Sequence, residues 1–225
     1  MYKPIETKDF PDDNINYSIC DEPIIEVHDF VFKPYYWDLK IKGATDKCFM
    51  RKGVYERLKL AESYLPSGLK LKIYDAWRPF EVQLALYNDY KRKLCKENPG
   101  LNSDEIDCLV KQFVSLPVMD VYDGPVHATG GAIDLTVINT NGEELNMGTV
   151  FDFFGDMANT DYFEKNFISD EIRNNRRMLY YVMTKAGFTN LPTEWWHYDF
   201  GNKFNAYYTG ENASYGCVFN IKTEE

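Results

Sequence analysis

Alternating and helically spaced apolar residues mark the regular elements of this chain. Over residues 52–65 apolar side chains recur at helical spacing, which predicts an amphipathic helix that Pro66-Ser67-Gly68 ends. Apolar and polar residues then alternate over residues 69–74, as in a strand with one buried face. The strand leads to Pro79, which suits the first turn of a helix predicted over residues 80–97.

The second half of the chain carries further predicted elements. Ser103 is a predicted N-cap for a helix to about Ser115, and Pro117 follows its end. A long helix is predicted over residues 170–186, and Gly187 is a typical C-terminal stop. Besides residues 69–74, three segments are predicted strands: Ile24–Val27 near the start of the chain, Ala132–Ile138, and a segment that begins near Trp195.

The rest of the chain has no clear periodicity. Residues 1–44 are predicted to form an irregular arm around the first strand, residues 147–158 a loop rich in Phe, and residues 201–216 an aperiodic tail. No internal repeat and no linker divides the sequence. With 225 residues, 44% hydrophobic and 16% aromatic, the chain can build one core. We therefore expect a single domain over residues 1–225, with the arm packed on it.

Charge and cysteine usage narrow the classes of function. The formal net charge of −10 argues against a nucleic-acid partner, because phosphate binding needs clustered Lys and Arg. No stretch approaches the ~18 apolar residues of a membrane span, and residues 1–14 lack the apolar core of a signal peptide. The five cysteines are scattered and form no C-x-x-C motif. We expect reduced thiols in a cytoplasmic protein.

Two short motifs carry the candidate chemistry. H-A-T-G-G-A-I-D-L-T contains His127 and Asp134, and E-W-W-H runs from Glu194 to His197. Two imidazoles and one carboxylate, with a further Glu beside them, are the ligand set of a catalytic zinc site that leaves the fourth position to water. His28, the third histidine, has no such neighbours and is predicted to be an ordinary surface residue.

Strand geometry allows these groups to meet. Asp134 alternates with apolar residues and so lies on the face opposite them. A buried carboxylate needs a partner, and the glycines before the strand let the loop fold His127 towards it. Glu194 is predicted in a bend before the last strand, since an offset of three would otherwise place it opposite His197. The alternative is a structural His–Asp pair, and short signatures such as H-E-x-x-H are absent.

Other residues are candidates for contact with a substrate. Arg78 lies at the predicted strand-to-helix junction, where loops tend to carry function, and a salt bridge with Asp75 is the structural alternative. The aromatic cluster of Tyr35, Tyr36 and Trp37 is predicted to be a packing anchor, or else one wall of a pocket.

These motifs resemble those of the zinc D-alanyl-D-alanine dipeptidases of the VanX type, within the superfamily of D-Ala-D-Ala peptidases and hedgehog-like zinc peptidases. Three further segments match in order: D-A-W-R-P around Arg78, M-G-T-V-F-D ending at Asp152, and N-R-R-M-L followed by G-F at Gly187. The resemblance covers residues 69–198. It implies an α+β fold, in which helices flank a small, mostly antiparallel sheet.

The resemblance also implies an activity and a set of site residues. The expected reaction is hydrolysis of D-Ala-D-Ala or a similar small dipeptide by metal-activated water. One Zn²⁺ would be held by His127, Asp134 and His197. The catalytic residues would be Glu194 as base and Arg78 as electrophile, and the substrate contacts would be Asp152, for the amino terminus, with Tyr35 or Tyr36.

The sequence departs from the family at positions near the first motif. Pro125 stands where the family usually has a serine that contacts the substrate, Ala128-Thr129 replace Ser-Arg, and Trp77 replaces a Tyr. These differences leave open which substrate the protein hydrolyses. The alternatives are a D,D-carboxypeptidase or L-Ala-D-Glu endopeptidase acting on cell-wall peptides, and a catalytically silent zinc-binding module, which the presence of Glu194 and Arg78 disfavours.

Overall fold

The computed structural model describes residues 2–8, 15–111 and 114–221. Its strands are β1 (Ile24–Val27), β2 (Val31–Phe32), β3 (Cys48–Arg51), β4 (Lys70–Asp75), β5 (Ala132–Ile138), β6 (Thr189–Asn190) and β7 (His197–Asp199). Its helices are α1 (Tyr35–Asp38), α2 (Lys52–Ser63), α3 (Phe80–Glu97), α4 (Ser103–Val110), α5 (Tyr162–Lys165), α6 (Asp170–Lys185) and α7 (Lys203–Thr209). Short 3-10 turns cover Val126–Thr129 and Asp156–Ala158.

β5 is the central strand of the main sheet, whose order is β2-β4-β5-β7-β6. The pairs β4–β5, β5–β7 and β6–β7 are antiparallel, and β2 is parallel to β4. β1 and β3 form a separate antiparallel pair. The predicted α+β fold, with a small and mostly antiparallel sheet flanked by helices, is confirmed.

The register of the three middle strands brings acidic and imidazole side chains into one row. Asp75 at the end of β4 is paired with Asp134 on β5, and Asp134 is paired with His197 at the start of β7. Residues directly opposite each other on neighbouring strands point to the same face, with Cβ atoms ~5 Å apart. The sheet therefore collects on one face three side chains that are far apart in the sequence.

The apolar face of β5 packs into the hydrophobic core. Leu135 and Val137 are fully buried in one cluster with Leu58 of α2 and with Leu179 and Val182 of α6. Burying a side chain of this kind contributes roughly 1.5–3 kcal/mol. This face therefore holds β5 firmly enough to carry buried polar groups on its other side.

Most of the predicted elements are confirmed, with small shifts at their ends. The strands β1 and β5 and the helix α3 have the predicted bounds. The helix predicted over residues 52–65 ends at Ser63, and the helix predicted over residues 170–186 ends at Lys185. Gly187 follows with φ +100°, as expected of a residue that stops a helix.

The prediction that Ser103 caps α4 is wrong. The cap is Asn102, whose side chain accepts hydrogen bonds from two backbone N–H groups of the first turn. The Glu105 carboxylate accepts from the Asn102 backbone N–H in return, which completes a capping box. The helix ends at Val110, short of its predicted end, and residues 112–113 of that prediction lie outside the described residues.

The arm and the tail contain more regular structure than the sequence pattern predicts. Within residues 1–44, β2 and α1 form as well as β1, while residues 1 and 9–14 lie outside the described part of the chain. The tail contains α7, capped by the Asn202 side chain. Elements this short contain too few residues for a hydrophobic period to be recognised.

The five cysteines are all free, which agrees with the expected reduced thiols. His28 is a surface residue, as predicted, with 77% of its side chain exposed. Within the described ranges, every helix is too short or too polar to cross a membrane.

Candidate metal and catalytic site

A tight loop brings His127 back to β5. His127 lies in the 3-10 turn Val126–Thr129, which Gly130 ends with φ +69°. A Cβ atom at Gly131 would lie 2.6 Å from the carbonyl oxygen of Phe200, so no larger residue fits at this close approach. As the sequence predicts, the two glycines allow the imidazole to reach the strand.

The potential ligand atoms of His127, Asp134 and His197 converge. His127 Nε2 lies 3.3 Å from Asp134 Oδ2 and 3.3 Å from His197 Nδ1. His197 Nδ1 lies 3.0 Å from Asp134 Oδ1. The three side chains are buried, and one ligand atom from each lies within 4.8 Å of the others. This arrangement could hold a metal ion.

The other nitrogen of each imidazole has an acceptor outside this cluster. His127 Nδ1 donates to the carbonyl oxygen of Ala76 at 2.8 Å, and His197 Nε2 donates to Asp199 Oδ2 at 3.1 Å. Asp199 is itself fixed by Asn202 Nδ2, which donates to its Oδ1 at 2.6 Å. When both rings are neutral, with their protons in these bonds, the two facing nitrogens present lone pairs to each other. A cation between them would remove that repulsion.

The charges around the cluster favour a cation. Although burial opposes ionisation of Asp134, His127 and His197 hold its pKa below the ordinary value. Burial likewise disfavours a charged His197, but Asp199 and Asp134 raise its pKa well above the ordinary value. The carboxylates therefore outweigh desolvation, and a proton or a metal ion is stabilised here.

Glu194 lies beside the cluster. It precedes β7, in the bend after Pro192, as predicted, and its Oε2 is 3.8 Å from His197 Nδ1. Burial raises the pKa of the Glu194 carboxyl to about 8, and Asp134 and Asp152 add to the rise. A carboxyl group that exchanges its proton near neutral pH is suited to general acid–base chemistry.

Arg78 reaches the same cluster from the junction between β4 and α3. Its Nε donates to Asp75 Oδ2 at 2.7 Å, its Nη1 to Gln83 Oε1 at 2.8 Å and its Nη2 to the Tyr36 hydroxyl at 3.3 Å. Nη2 also lies 3.4 Å from Asp134 Oδ2. Arg78 therefore forms the salt bridge with Asp75 and also lies in the candidate site.

Asp152 and Tyr36 form a hydrogen-bonded pair next to Arg78. The Tyr36 hydroxyl donates to Asp152 Oδ2 at 3.0 Å. Asp152 has φ +58°, a left-handed conformation that is uncommon for a residue other than glycine. Burial raises the pKa of the Asp152 carboxyl to about 6, and Asp134 adds to the rise while Arg78 opposes it. A cationic ligand would relieve the cost of ionising this carboxyl group.

A cavity of about 380 Å³ opens at this site, a size typical of small-molecule sites. Its wall includes Tyr36, Arg78, His127, Asp134, Asp152, Glu194 and His197. The structure does not bring Tyr35 to this wall, since its ring packs edge-on against Phe151 at 4.7 Å. Trp37 is also outside it, and is 51% exposed.

Sequence reasoning misses two supporting residues, Asp199 and Gln83. Asp199 follows His197 by two strand positions, so the period of two could have placed both side chains on one face. Gln83 is 2% exposed, and its Nε2 donates to the carbonyl oxygen of Ser115 at 2.7 Å, which aims its Oε1 at Arg78. No local signal distinguishes this glutamine from any other in the first turns of a helix.

An α+β fold with two imidazoles, three carboxylates and a guanidinium around one ligand-sized cavity is the arrangement of a class of protein, the metallopeptidases. A model of the M15 peptidase family, described as D-ala-D-ala dipeptidase, matches residues 39–215. The chain belongs to this D-Ala-D-Ala dipeptidase family.

Curated relatives agree with the family match. A D-alanyl-D-alanine dipeptidase of Escherichia coli (strain K12) is 32% identical over 133 residues, which are 59% of this chain and 56% of the relative. One from Enterococcus faecium is 32% identical over 157 residues, 65% of this chain and 71% of the relative. One from Synechocystis sp. is 25% identical over 179 residues, 70% of this chain and 71% of the relative. The match thus spans little more than half the length of the Escherichia coli protein.

Proposed function

We propose that this protein is a zinc-dependent dipeptidase, a single domain over residues 1–225, that hydrolyses D-Ala-D-Ala or a similar small dipeptide. One observation carries the proposal: His127 Nε2, His197 Nδ1 and the Asp134 carboxylate face one another in a buried cluster that stabilises positive charge. The choice of substrate is supported by the relatives, which are named D-alanyl-D-alanine dipeptidases.

Zinc fits the donor set of this cluster. Two imidazoles and a carboxylate are ligands of catalytic zinc sites, and we assign His127, Asp134 and His197 to one ion per chain. Ala76 and Asp199 accept the outer N–H groups and so select the ring tautomers that can bind a metal. A bound zinc ion supplies Lewis acidity, which makes water a nucleophile near neutral pH.

Glu194 takes the proton of the attacking water and returns it to the leaving amine. Its carboxylate is close to His197, at 3.8 Å, and in this proposal it does not serve as a ligand. The raised pKa of about 8 belongs to the metal-free cluster. A cation held by the ligands lowers the pKa of Glu194, so that the carboxylate form is available as a base.

Arg78 stabilises the negative charge that develops on the substrate's carbonyl oxygen. The hydrogen bonds to Asp75 and Gln83 fix its guanidinium before substrate binds. A donor that is already oriented needs no reorganisation during the reaction, and loss of one such donor typically costs about 3–4 kcal/mol.

Asp152 receives the ammonium group of the substrate, and Tyr36 orients the Asp152 carboxylate. A peptide extended at its amino end would place a neutral amide beside Asp152 and leave its charge unpaired. An unsatisfied buried group costs about 1–3 kcal/mol, and more when it is charged. In this proposal the pair therefore selects a dipeptide with a free amino group over a chain extended at its amino end.

Hydrolysis of a small panel of peptides tests the proposal. We expect release of alanine from free D-Ala-D-Ala, loss of this activity with a chelator, and recovery when zinc is added back. L,L- and L,D-dipeptides in the same panel define the stereochemistry. Preference for a pentapeptide stem would indicate a D,D-carboxypeptidase, and cleavage between L-Ala and D-Glu would indicate the endopeptidase. A zinc-loaded protein that cleaves nothing would be the silent module.

A further inference from the structure

Arg176 of α6 is buried against the loop that carries Asp152. We call residues 147–159 the Asp152 loop. The guanidinium donates to three carbonyl oxygens at the two ends of this loop, each at 2.7 Å: Nε to Met147, Nη2 to Met157 and Nη1 to Asn159. One rigid fork of donors therefore holds both ends of the loop together.

The environment of Arg176 differs from that of an ordinary buried arginine. It is 2% exposed, yet no carboxylate of the described residues forms an ion pair with it, and burial lowers its pKa to about 9. Its neighbour Arg177, by contrast, donates two hydrogen bonds to the Glu164 carboxylate. Apolar side chains often fill a buried space at a lower free energy than a charge. They could not bind three carbonyl groups, which is what Arg176 does.

Trp195 connects the Asp152 loop to the segment that carries Glu194. Its indole Nε1 donates to Thr149 Oγ1 at 2.8 Å, and its backbone N–H donates to the carbonyl oxygen of Ala158 at 3.0 Å. The ring is 2% exposed and lies 5.7 Å from the Arg176 guanidinium. Because Trp195 directly follows Glu194 in the chain, these bonds couple the position of Glu194 to both sides of the loop.

The backbone conformation of Asp152 has to be held in place by the residues around it. Its backbone φ of +58° is a sparsely populated conformation, which persists where the surrounding structure over-determines it. The bonds from Arg176 and Trp195 end at residues 147, 149, 157, 158 and 159, on both sides of Asp152. They therefore enclose the strained residue.

We propose that Arg176 and Trp195 are positioning residues that fix the spacing between the Asp152 and Glu194 carboxylates. That spacing determines how much peptide fits between an ammonium group at Asp152 and the bond that is cleaved beside Glu194. The two residues thereby set the selection for a dipeptide with a free amino group. This inference rests on the proposed function.

Arg176→Lys tests the inference, because lysine keeps the positive charge and loses the fork. We measure zinc content and kcat/KM on free D-Ala-D-Ala and on N-acetyl-D-Ala-D-Ala. A displacement of ~1 Å can lower a rate about a hundredfold. We expect a loss of that order in kcat/KM on the free dipeptide, with full zinc content and little change on the N-acetyl substrate. Arg177→Lys is the matched control, and it should leave the preference for the free dipeptide unchanged.

Thr149→Val provides a second test should Arg176→Lys fail to fold. Valine has nearly the shape of threonine and removes the acceptor of the Trp195 indole N–H. We expect a smaller loss in the same direction, confined to the free dipeptide. Thr149→Ser keeps the hydroxyl group and should restore the wild-type preference.

Two outcomes would overturn the inference, and they are distinguishable. If Arg176→Lys and Thr149→Val lower kcat/KM on both substrates by the same factor, the two contacts are merely structural, and the dipeptidase assignment stands. If the wild-type protein, loaded with zinc, cleaves neither substrate, the proposed function fails and the inference fails with it.

Discussion

Among single residues, Glu194 and His197 are three positions apart, and substitutions at the two positions are predicted to remove different properties of the site. Glu194→Gln keeps the shape of the side chain but cannot take a proton. General acid–base catalysis contributes about 10²–10⁴-fold, so we expect kcat to fall by that factor while zinc content is unchanged. His197→Ala should lose the zinc itself. Metal analysis and initial rates of the two variants check both predictions. Undiminished turnover by a zinc-replete Glu194→Gln variant would rule out Glu194 as the base.

Asp152 is predicted to destabilise the metal-free fold. Its pKa is about 6 in the folded protein, against 3.8 ordinarily, so the folded state binds this proton more tightly than the unfolded chain. The stability that the group contributes is therefore present below pH ~4 and is lost as the pH rises to about 6. We expect metal-free Asp152→Asn to melt a few °C above wild type at about pH 7, with a gap that narrows towards pH 4.

The control for this measurement is Asp156→Asn, an exposed position on the same loop. We expect it to melt with the wild type across the same pH range. Should Asp152→Asn instead melt below wild type at neutral pH, the ionised carboxylate would be stabilising. Its burial would then have to be balanced by more contacts than the Tyr36 hydroxyl and Arg78 provide.

For helices and strands, the length of a periodic pattern decides how much the sequence reveals. β5 and α3 have seven and eighteen residues, and both are predicted with the right bounds. α7 has seven residues of mixed aromatic and polar character, and β6 has two. Neither repeats a period often enough to stand out, so the sequence pattern predicts neither element.

For the candidate site, too, local features could be predicted from the sequence and long-range ones could not. The residues proposed as ligands could be named from short motifs. Their alignment on one face could not, because it depends on which strands pair and in which register, and no local pattern specifies that. Arg176 illustrates the limit: on a helix, an arginine in the sequence is expected at the surface, and only the fold reveals that it binds the ends of a distant loop.

The N-cap of α4 leads to a prediction that distinguishes the contributions of two neighbouring residues to stability. Asn102 accepts hydrogen bonds from the first turn, so Asn102→Ala should lower stability by about 1 kcal/mol, or roughly 2–4 °C in Tm. Ser103→Ala, the position wrongly predicted as the cap, should change Tm by much less. Thermal melts of the two variants check this, and equal shifts would contradict the assignment.

Across the whole molecule, the proposed metal links segments that are otherwise joined through the sheet. His127 comes from a loop, Asp134 from β5 and His197 from β7, and the two histidines are 70 positions apart in the chain. A ligand that binds the folded state and not the unfolded chain stabilises the fold as a whole. Removing the metal should therefore lower the stability of the entire molecule and not of one loop.

Thermal melts of the metal-free protein, titrated with zinc, test this at equilibrium and without substrate. At a hundred times Kd, binding adds about 2.7 kcal/mol, which corresponds to roughly 5–10 °C for a chain of this size. His127→Ala and His197→Ala should abolish the zinc-dependent rise in Tm, whereas His28→Ala, at an exposed position, should keep it in full. If the rise survives in His127→Ala or His197→Ala, zinc binds elsewhere, because neither remaining pair of ligands can close the site.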